Sequence, residues 1–163
     1  MFEQDLKETQ KNFNLIRADV EQVLKSNILD VEGQGNLELM LDRYAGIDYI
    51  AMSKYGLRGV ASRIQKGKSW RTFTIRESKA SGNKTEKEKR QFAIDKDFIY
   101  PYYTIQAYVE QDKIEYAICR TKELYKFIDD NPQKIRRNKT TNAIFVIVNW
   151  RDIENIITRT VRI

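Results

Sequence analysis

The sequence predicts a mixed α/β (α+β) single domain with a mixed central sheet flanked by helices, and three observations carry that expectation. Apolar residues recur at helical spacing through the first 26 positions. From Leu37 the period shortens to two, and residues 143–148 form an unbroken apolar run. Helices repeat every 3.6 residues and strands every two, while an unbroken run suits a strand buried on both faces. One chain of 163 residues is long enough to enclose a single substantial core.

In chain order, Phe2, Leu6, Phe13, Ile16, Val20, Val23 and Leu24 predict one long amphipathic helix over 2–26. Ser26-Asn27 and then Gly33-Gln34-Gly35 signal a turn. At the spacing a phosphate loop needs, no third glycine and no Gly-Lys-Ser/Thr follows these two, and no phosphate loop is expected here. Leu37, Leu39 and Leu41 alternate with Glu38, Met40 and Asp42, predicting a first strand. Strands at 47–52, 58–65 and 70–77 follow, so 37–77 reads as a hairpin sheet turned at Ser53-Lys54-Tyr55-Gly56 and Lys66-Gly67-Lys68. In the last of these, Trp70, Thr72, Thr74 and Arg76 share one side and Arg71, Phe73 and Ile75 the other. The polar stretch 78–91 is a loop or the entry to a charged helix, with Thr85 as cap and Glu88 at the capping-box offset.

A second β/α half spans 102–157. Strands at 103–109 and 114–119 flank a turn at Gln111-Asp112-Lys113, and a helix over 121–129 is stopped by Asn131-Pro132. A basic loop (134–139), a buried central strand (143–148) and a closing helix (150–157) complete the chain.

Composition narrows the chemistry. The absence of histidine excludes Ser-His-Asp and Cys-His catalysis and histidine-ligated metals. The single cysteine, Cys119, lies in an apolar run and is expected to be a small buried side chain. No apolar run approaches the roughly 20 residues a membrane helix needs, and the first residues lack the layout of a secretory signal. A cytoplasmic location without a membrane partner is the expectation.

The net charge of +6 is uneven: residues 1–53 hold 5 basic and 10 acidic groups, 54–90 hold 12 and 3, and 91–163 hold 12 and 10. A basic middle third favours a polyanion, because lysine and arginine displace counterions from phosphates. Lys66, Lys68, Arg71 and Arg76 there, with Arg136 and Arg137 from the second basic loop, are the candidate nucleic-acid contacts. Trp70, Phe73 and Tyr103 are expected in the core rather than as stacking platforms.

One motif goes further. Gly46-Ile47-Asp48-Tyr49-Ile50 is followed, 15 positions beyond Asp48, by Arg63-Ile64-Gln65. Over residues 10–80 the chain resembles the PD-(D/E)XK, or restriction-endonuclease-like, nuclease family, in which Gly-Ile-Asp enters the second core strand. That family carries an acid, any residue and then lysine on the third. Residues two apart on a strand face the same way, so such a pair can meet one metal-bound phosphate. Magnesium takes oxygen ligands and keeps several waters. Here Arg63 stands in the place of the acid and Gln65 in that of the lysine.

The resemblance implies Asp48, Arg63 and Gln65 as the catalytic set. Mg2+ or Mn2+ would be held by Asp48 with Glu21 and Asp42 (or Glu38). The function implied is a nucleic-acid-binding, nuclease-like domain: a divergent metal-dependent endonuclease, or a relative that has lost cleavage. The alternative is a non-catalytic interaction protein, such as a phage or mobile-element inhibitor of a host nucleoprotein defence complex. DNA is favoured over RNA, and a protein partner or a homodimer stays open.

Overall fold

Phe13, Ile16 and Val20 are wholly buried along one side of the first helix, α1 (Phe2–Leu24). That stripe lies on a sheet face carrying Tyr49, Ala51, Val60, Tyr103, Ile105, Tyr116 and Ile118. The computed structural model describes residues 2–31, 35–41, 45–78, 84–97, 99–111 and 113–162.

The large sheet has six strands: β1 (Asn27–Asp30), β2 (Tyr49–Ser53), β3 (Gly56–Lys66), β5 (Pro101–Glu110), β6 (Lys113–Arg120) and β9 (Ile157–Arg162), paired in that order. The first three form an antiparallel meander, β5 runs parallel to β3, and β5, β6 and β9 are again antiparallel. The parallel step needs a crossover. It is made by β4 (Thr72–Ser78) and α3 (Glu86–Asp95). Short α2 (Asn36–Met40) precedes β2, and α4 (Thr121–Asp130) follows β6. A second sheet, β4-β8-β7, is completed by β7 (Lys134–Arg137) and β8 (Ile144–Asn149).

The face of β5 and β6 away from α1 is covered by α4 and the small sheet, which bury Phe73, Val146, Val148, Leu124, Trp150 and Ile153 together. Both faces of β5 and β6 are therefore dry, and their interiors are buried almost continuously.

Two polar residues within that dry layer dock the small sheet. β4 is an edge strand, so alternate N–H and C=O groups point away from β8 and need partners. The Thr74 N–H donates to Oε1 of Gln106 at 3.3 Å, and the Tyr108 hydroxyl donates to the Thr72 carbonyl at 3.0 Å. The Thr72 hydroxyl stands 2.8 Å from the Tyr108 oxygen. Gln106 and Tyr108 are 1% and 2% exposed. The Gln106 amide nitrogen donates onward to Gln65 Oε1 at 3.1 Å, tying β3 into the same chain of bonds.

Several sequence expectations hold, and five need correction. α1, the hairpin after Ser53, the Thr85–Glu88 capping box and α4 stand where they were expected. The alternating leucines after residue 36 form α2 rather than a strand: Leu, Glu and Met are strong helix formers, and none of the segment's residues is β-branched. The first strand is instead Asn27–Asp30, in a stretch read as a turn. The fourth strand of the expected hairpin sheet leaves it and joins the small sheet as β4. Part of the basic loop is strand β7, and the closing helix is a single 3-10 turn, Trp150–Ile153, leading into β9. Among the described residues no helix is long and apolar enough to cross a membrane.

Two substitutions test this account. Gln106→Met removes both amide bonds while keeping volume, and strands the Thr74 N–H; it should cost about 1–3 kcal/mol in urea unfolding. Thr85→Ala removes the α3 cap and should cost about 1 kcal/mol. A Gln106→Met protein as stable as the parent would show that the amide bonds do not hold the small sheet.

Candidate nucleic-acid interface

Because β4 stands on β5, the small sheet turns one face into the core and the other toward the exposed end of β3. Alternation along β4 and β8 separates Phe73, Ile75, Val146 and Val148, which are buried, from Thr72, Thr74, Phe145, Ile147 and Asn149. The second set faces a groove of about 700 Å3, whose opposite wall is Arg63, Gln65 and Lys66 of β3 with Lys68 and Trp70 of the following loop. Arg136 and Arg137 of β7 and Lys139 of the next loop close the far side.

Local sequence sets both rims. Asn138 folds the β7–β8 loop: its side-chain oxygen accepts from the N–H groups of Thr140 at 2.9 Å and Thr141 at 3.1 Å, and its own N–H donates to the Ala143 carbonyl at 2.8 Å. This is the asparagine turn chemistry that competes with regular structure. On the other rim, the Gly67 N–H donates to the Val109 carbonyl at 2.8 Å, and the Arg71 carbonyl accepts from the Trp150 N–H at 2.9 Å. Between these anchors Trp70 is held outward, 64% exposed.

The groove is electrostatically one-sided. Its lining includes the cations Arg63, Lys66, Lys68, Arg136, Arg137 and Lys139 and, among the described residues, not one carboxylate. Two of them are paired outside the lining, Arg63 with Glu86 at 3.4 Å and Lys66 with Glu8 of α1. Lys68, Arg136, Arg137 and Lys139 are exposed and have no ion-pair partner among the described residues. The Arg63 and Arg76 guanidiniums pack on the Phe145 ring at 5.3 and 5.4 Å, and the Lys68 ammonium lies 5.3 Å from the Trp70 ring centroid. Burial pushes the Arg63 guanidinium below its ordinary value, with Glu86 acting the other way. Arginine's ordinary value is high enough that it stays charged.

Asp48 is placed as expected on the edge of β2 beside β3, and by register it shares a sheet face with Arg63 and Gln65. It does not line the groove. Its Oδ2 accepts from the Ser62 N–H at 2.7 Å, while its own N–H donates to the Val60 carbonyl at 3.0 Å. The carboxylate thus extends the β2–β3 ladder one step beyond its last backbone pair. Gly59, opposite this entry, admits only hydrogen: a Cβ there would lie 2.7 Å from Ile47 Cδ1 and 2.8 Å from the Tyr100 carbonyl oxygen.

Helix α3 fills the space where the catalytic set was expected. Glu86 reaches Arg63, and one turn later Arg90, 6% exposed, lies against Gly46 and within the electrostatic reach of Asp48. Burial would lower the Arg90 guanidinium, but Tyr125, Glu86 and Asp48 outweigh it and hold it above its ordinary value. The buried guanidinium supplies beside these carboxylates the positive charge that a bound cation would otherwise bring.

Among the described residues, the carboxylates expected to hold Mg2+ or Mn2+ do not converge on one point. Glu21 accepts from the Ile28 N–H at 2.9 Å and shares a separate depression with Met52, Ser53 and Lys54, at the far end of β2. At about 3.3 Å per residue, that is roughly 13–17 Å along the strand from Asp48. Glu38 lies on α2, Asp42 lies outside the described residues, and no three Asp, Glu or Cys side chains converge among those described.

Four of the candidate contacts, Lys66, Lys68, Arg136 and Arg137, are brought together in the groove. Arg71 is not: it pairs with Glu115 at 2.7 Å in a neighbouring depression. Arg76 is half-buried behind Phe145. Sequence reasoning flagged the basic loop that ends at Lys139 without naming that residue as a contact, and it placed Trp70 in the core. The signal for Trp70 was present: its strand face continues as Thr72, Thr74 and Arg76, which no apolar layer would tolerate. Cys119 is buried as expected, and burial pushes its thiol up to about 12, so it stays protonated. Comparison of the chain with protein-family models, with curated proteins and with solved structures finds no significant match.

Proposed function

We propose that this chain is a nucleic-acid-binding domain that engages the phosphate backbone in the groove between β3 and the small sheet, without metal-dependent hydrolysis at Asp48. The observation that carries the reading is the six-cation, carboxylate-free lining, with four of those cations lacking ionic partners among the described residues. Unpaired, exposed cations on converging walls gain little for folding and much from a polyanion, which releases its counterions when they bind. The long helix, the antiparallel meander and Asp48 at its second strand support kinship with the restriction-endonuclease-like fold. In this reading Asp48 serves the β2–β3 entry through its bond to Ser62, with the Arg90 charge within electrostatic reach.

Fluorescence anisotropy with labelled oligonucleotides tests the binding surface. Affinity should fall steeply with salt, by roughly 0.7–0.9 in log–log slope for each phosphate neutralised. Lys68→Ala, Arg136→Ala and Lys139→Ala should each lower that slope by roughly 1. Arg71→Ala, paired with Glu115 outside the groove, should leave it unchanged. Salt-independent binding, or an equal loss at Arg71, counts against the groove.

The role of Asp48 has its own test. Asp48→Ala removes a charge-assisted bond to the Ser62 N–H and should lower stability by about 1–2 kcal/mol while leaving affinity for nucleic acid intact. Magnesium and manganese should not raise the melting temperature of the parent protein. A metal-dependent rise that disappears in Asp48→Ala would restore the metal site, because a ligand that binds only the folded state stabilises it by mass action.

A further inference from the structure

Trp70 carries an inference that rests on the nucleic-acid reading and deepens it. A large aromatic ring left 64% exposed beside a cationic groove has no folding rationale, since its burial would stabilise the chain. Its loop is nevertheless anchored on both sides. Gly67 adopts φ 101° and bonds β5, and Arg71 adopts φ 50°, the left-handed region that side chains rarely occupy, while its carbonyl bonds Trp150 and its guanidinium bonds Glu115. A strained non-glycine residue held by two external bonds fixes the loop in a conformation that aims the ring outward.

We propose that the groove takes a single strand of nucleic acid, with Trp70 as a base-stacking platform at its mouth and Lys68, Arg136, Arg137 and Lys139 tracking the backbone. Stacking requires an exposed base face. A single strand presents one at every nucleotide, and a duplex keeps its bases paired and stacked with only their edges in the grooves. The Lys68 ammonium, 5.3 Å from the Trp70 ring, joins cation and aromatic at one point, so a base on the indole places its phosphate beside a positive charge. The groove also suits an extended strand in shape. It is walled on both sides, with about 700 Å3 between, and its lining sets the polar Thr74 and Asn149 beside Phe145 and Ile147. Binding of this kind tolerates any sequence, because every base has a π-face.

The chain contains two tryptophans, and Trp150 is buried at 4% exposure, so quenching by a ligand reports on Trp70. Intrinsic fluorescence is titrated with (dT)15, with (U)15 and with a duplex of the same length, on the parent, Trp70→Phe and Trp70→Ala proteins. The intact signal of Trp150 in circular dichroism serves as the folding control. The proposal predicts quenching by either single strand, DNA or RNA, and at most weak quenching by the duplex. Trp70→Ala should lose about tenfold in single-strand affinity by anisotropy, and Trp70→Phe should retain most of it, while the duplex affinity of all three proteins stays alike. Single-strand affinity indifferent to Trp70→Ala, or a duplex bound as tightly and losing as much, overturns this inference and leaves the phosphate-binding groove standing. Failure of all three oligonucleotides to bind at low salt overturns both.

Discussion

The bonds from Gln106 and Tyr108 to the open edge of β4 are the constraint on which the rest of the structure depends. An edge strand laid on a dry sheet face must either strand its outward N–H and C=O groups or find polar side chains to meet them. Leaving one such group buried and unmet costs about 1–3 kcal/mol, enough to forbid the arrangement if repeated along a strand. Two polar side chains among the apolar residues of β5 remove that cost at Thr72 and Thr74. They also set the position at which the small sheet stands, since the bonds form in one register only. The groove is the consequence: with β4 anchored over β5, the polar face of β4 and β8 has nowhere to turn except toward Arg63, Gln65 and Lys66.

The same docking separates two regions that sequence reasoning treated as one site. Arg63 and Gln65 belong to the groove, where Gln106 orients Gln65 and Phe145 supports Arg63. Asp48 instead bonds the Ser62 N–H, within electrostatic reach of Arg90 on α3. A buried arginine among carboxylates is a poor neighbour for a divalent cation, because any metal entering there must work against a fixed positive charge. Four of the groove's cations face the opposite situation: Lys68, Arg136, Arg137 and Lys139 are exposed without ion-pair partners among the described residues, and an anionic ligand would relieve their repulsion.

What could be read from the sequence follows the range of the interactions involved. The Thr85–Glu88 capping box is local chemistry and was legible to the residue. So was α4, whose apolar positions recur at helical spacing. The segment after residue 36 misled because Leu37 and Leu41 satisfy a helical repeat as well as Leu37, Leu39 and Leu41 satisfy a strand, and side-chain periodicity cannot decide over so few residues. β7 was hidden for a different reason: its four residues are all exposed, so pairing with β8 rather than burial defines it. The pairing of β4 with β8, and the choice of Gln106 as its anchor, span long stretches of chain that leave no local trace. For the site, the charge of the middle third pointed to one wall of the groove, while the partner of each cation, Glu115 for Arg71 and Glu86 for Arg63, emerged only from the fold.

The most direct test of the central claim is where a bound strand touches the molecule. Backbone amide shifts of the labelled protein, followed by nuclear magnetic resonance during titration with a short oligothymidylate, report that contact residue by residue. The account predicts the largest changes in two separated segments, 65–74 and 136–149, which meet only across the groove, with α1 and the Asp48–Arg90 region nearly unmoved. Changes concentrated instead around Asp48, Ser62 and Arg90, with the groove silent, would contradict it.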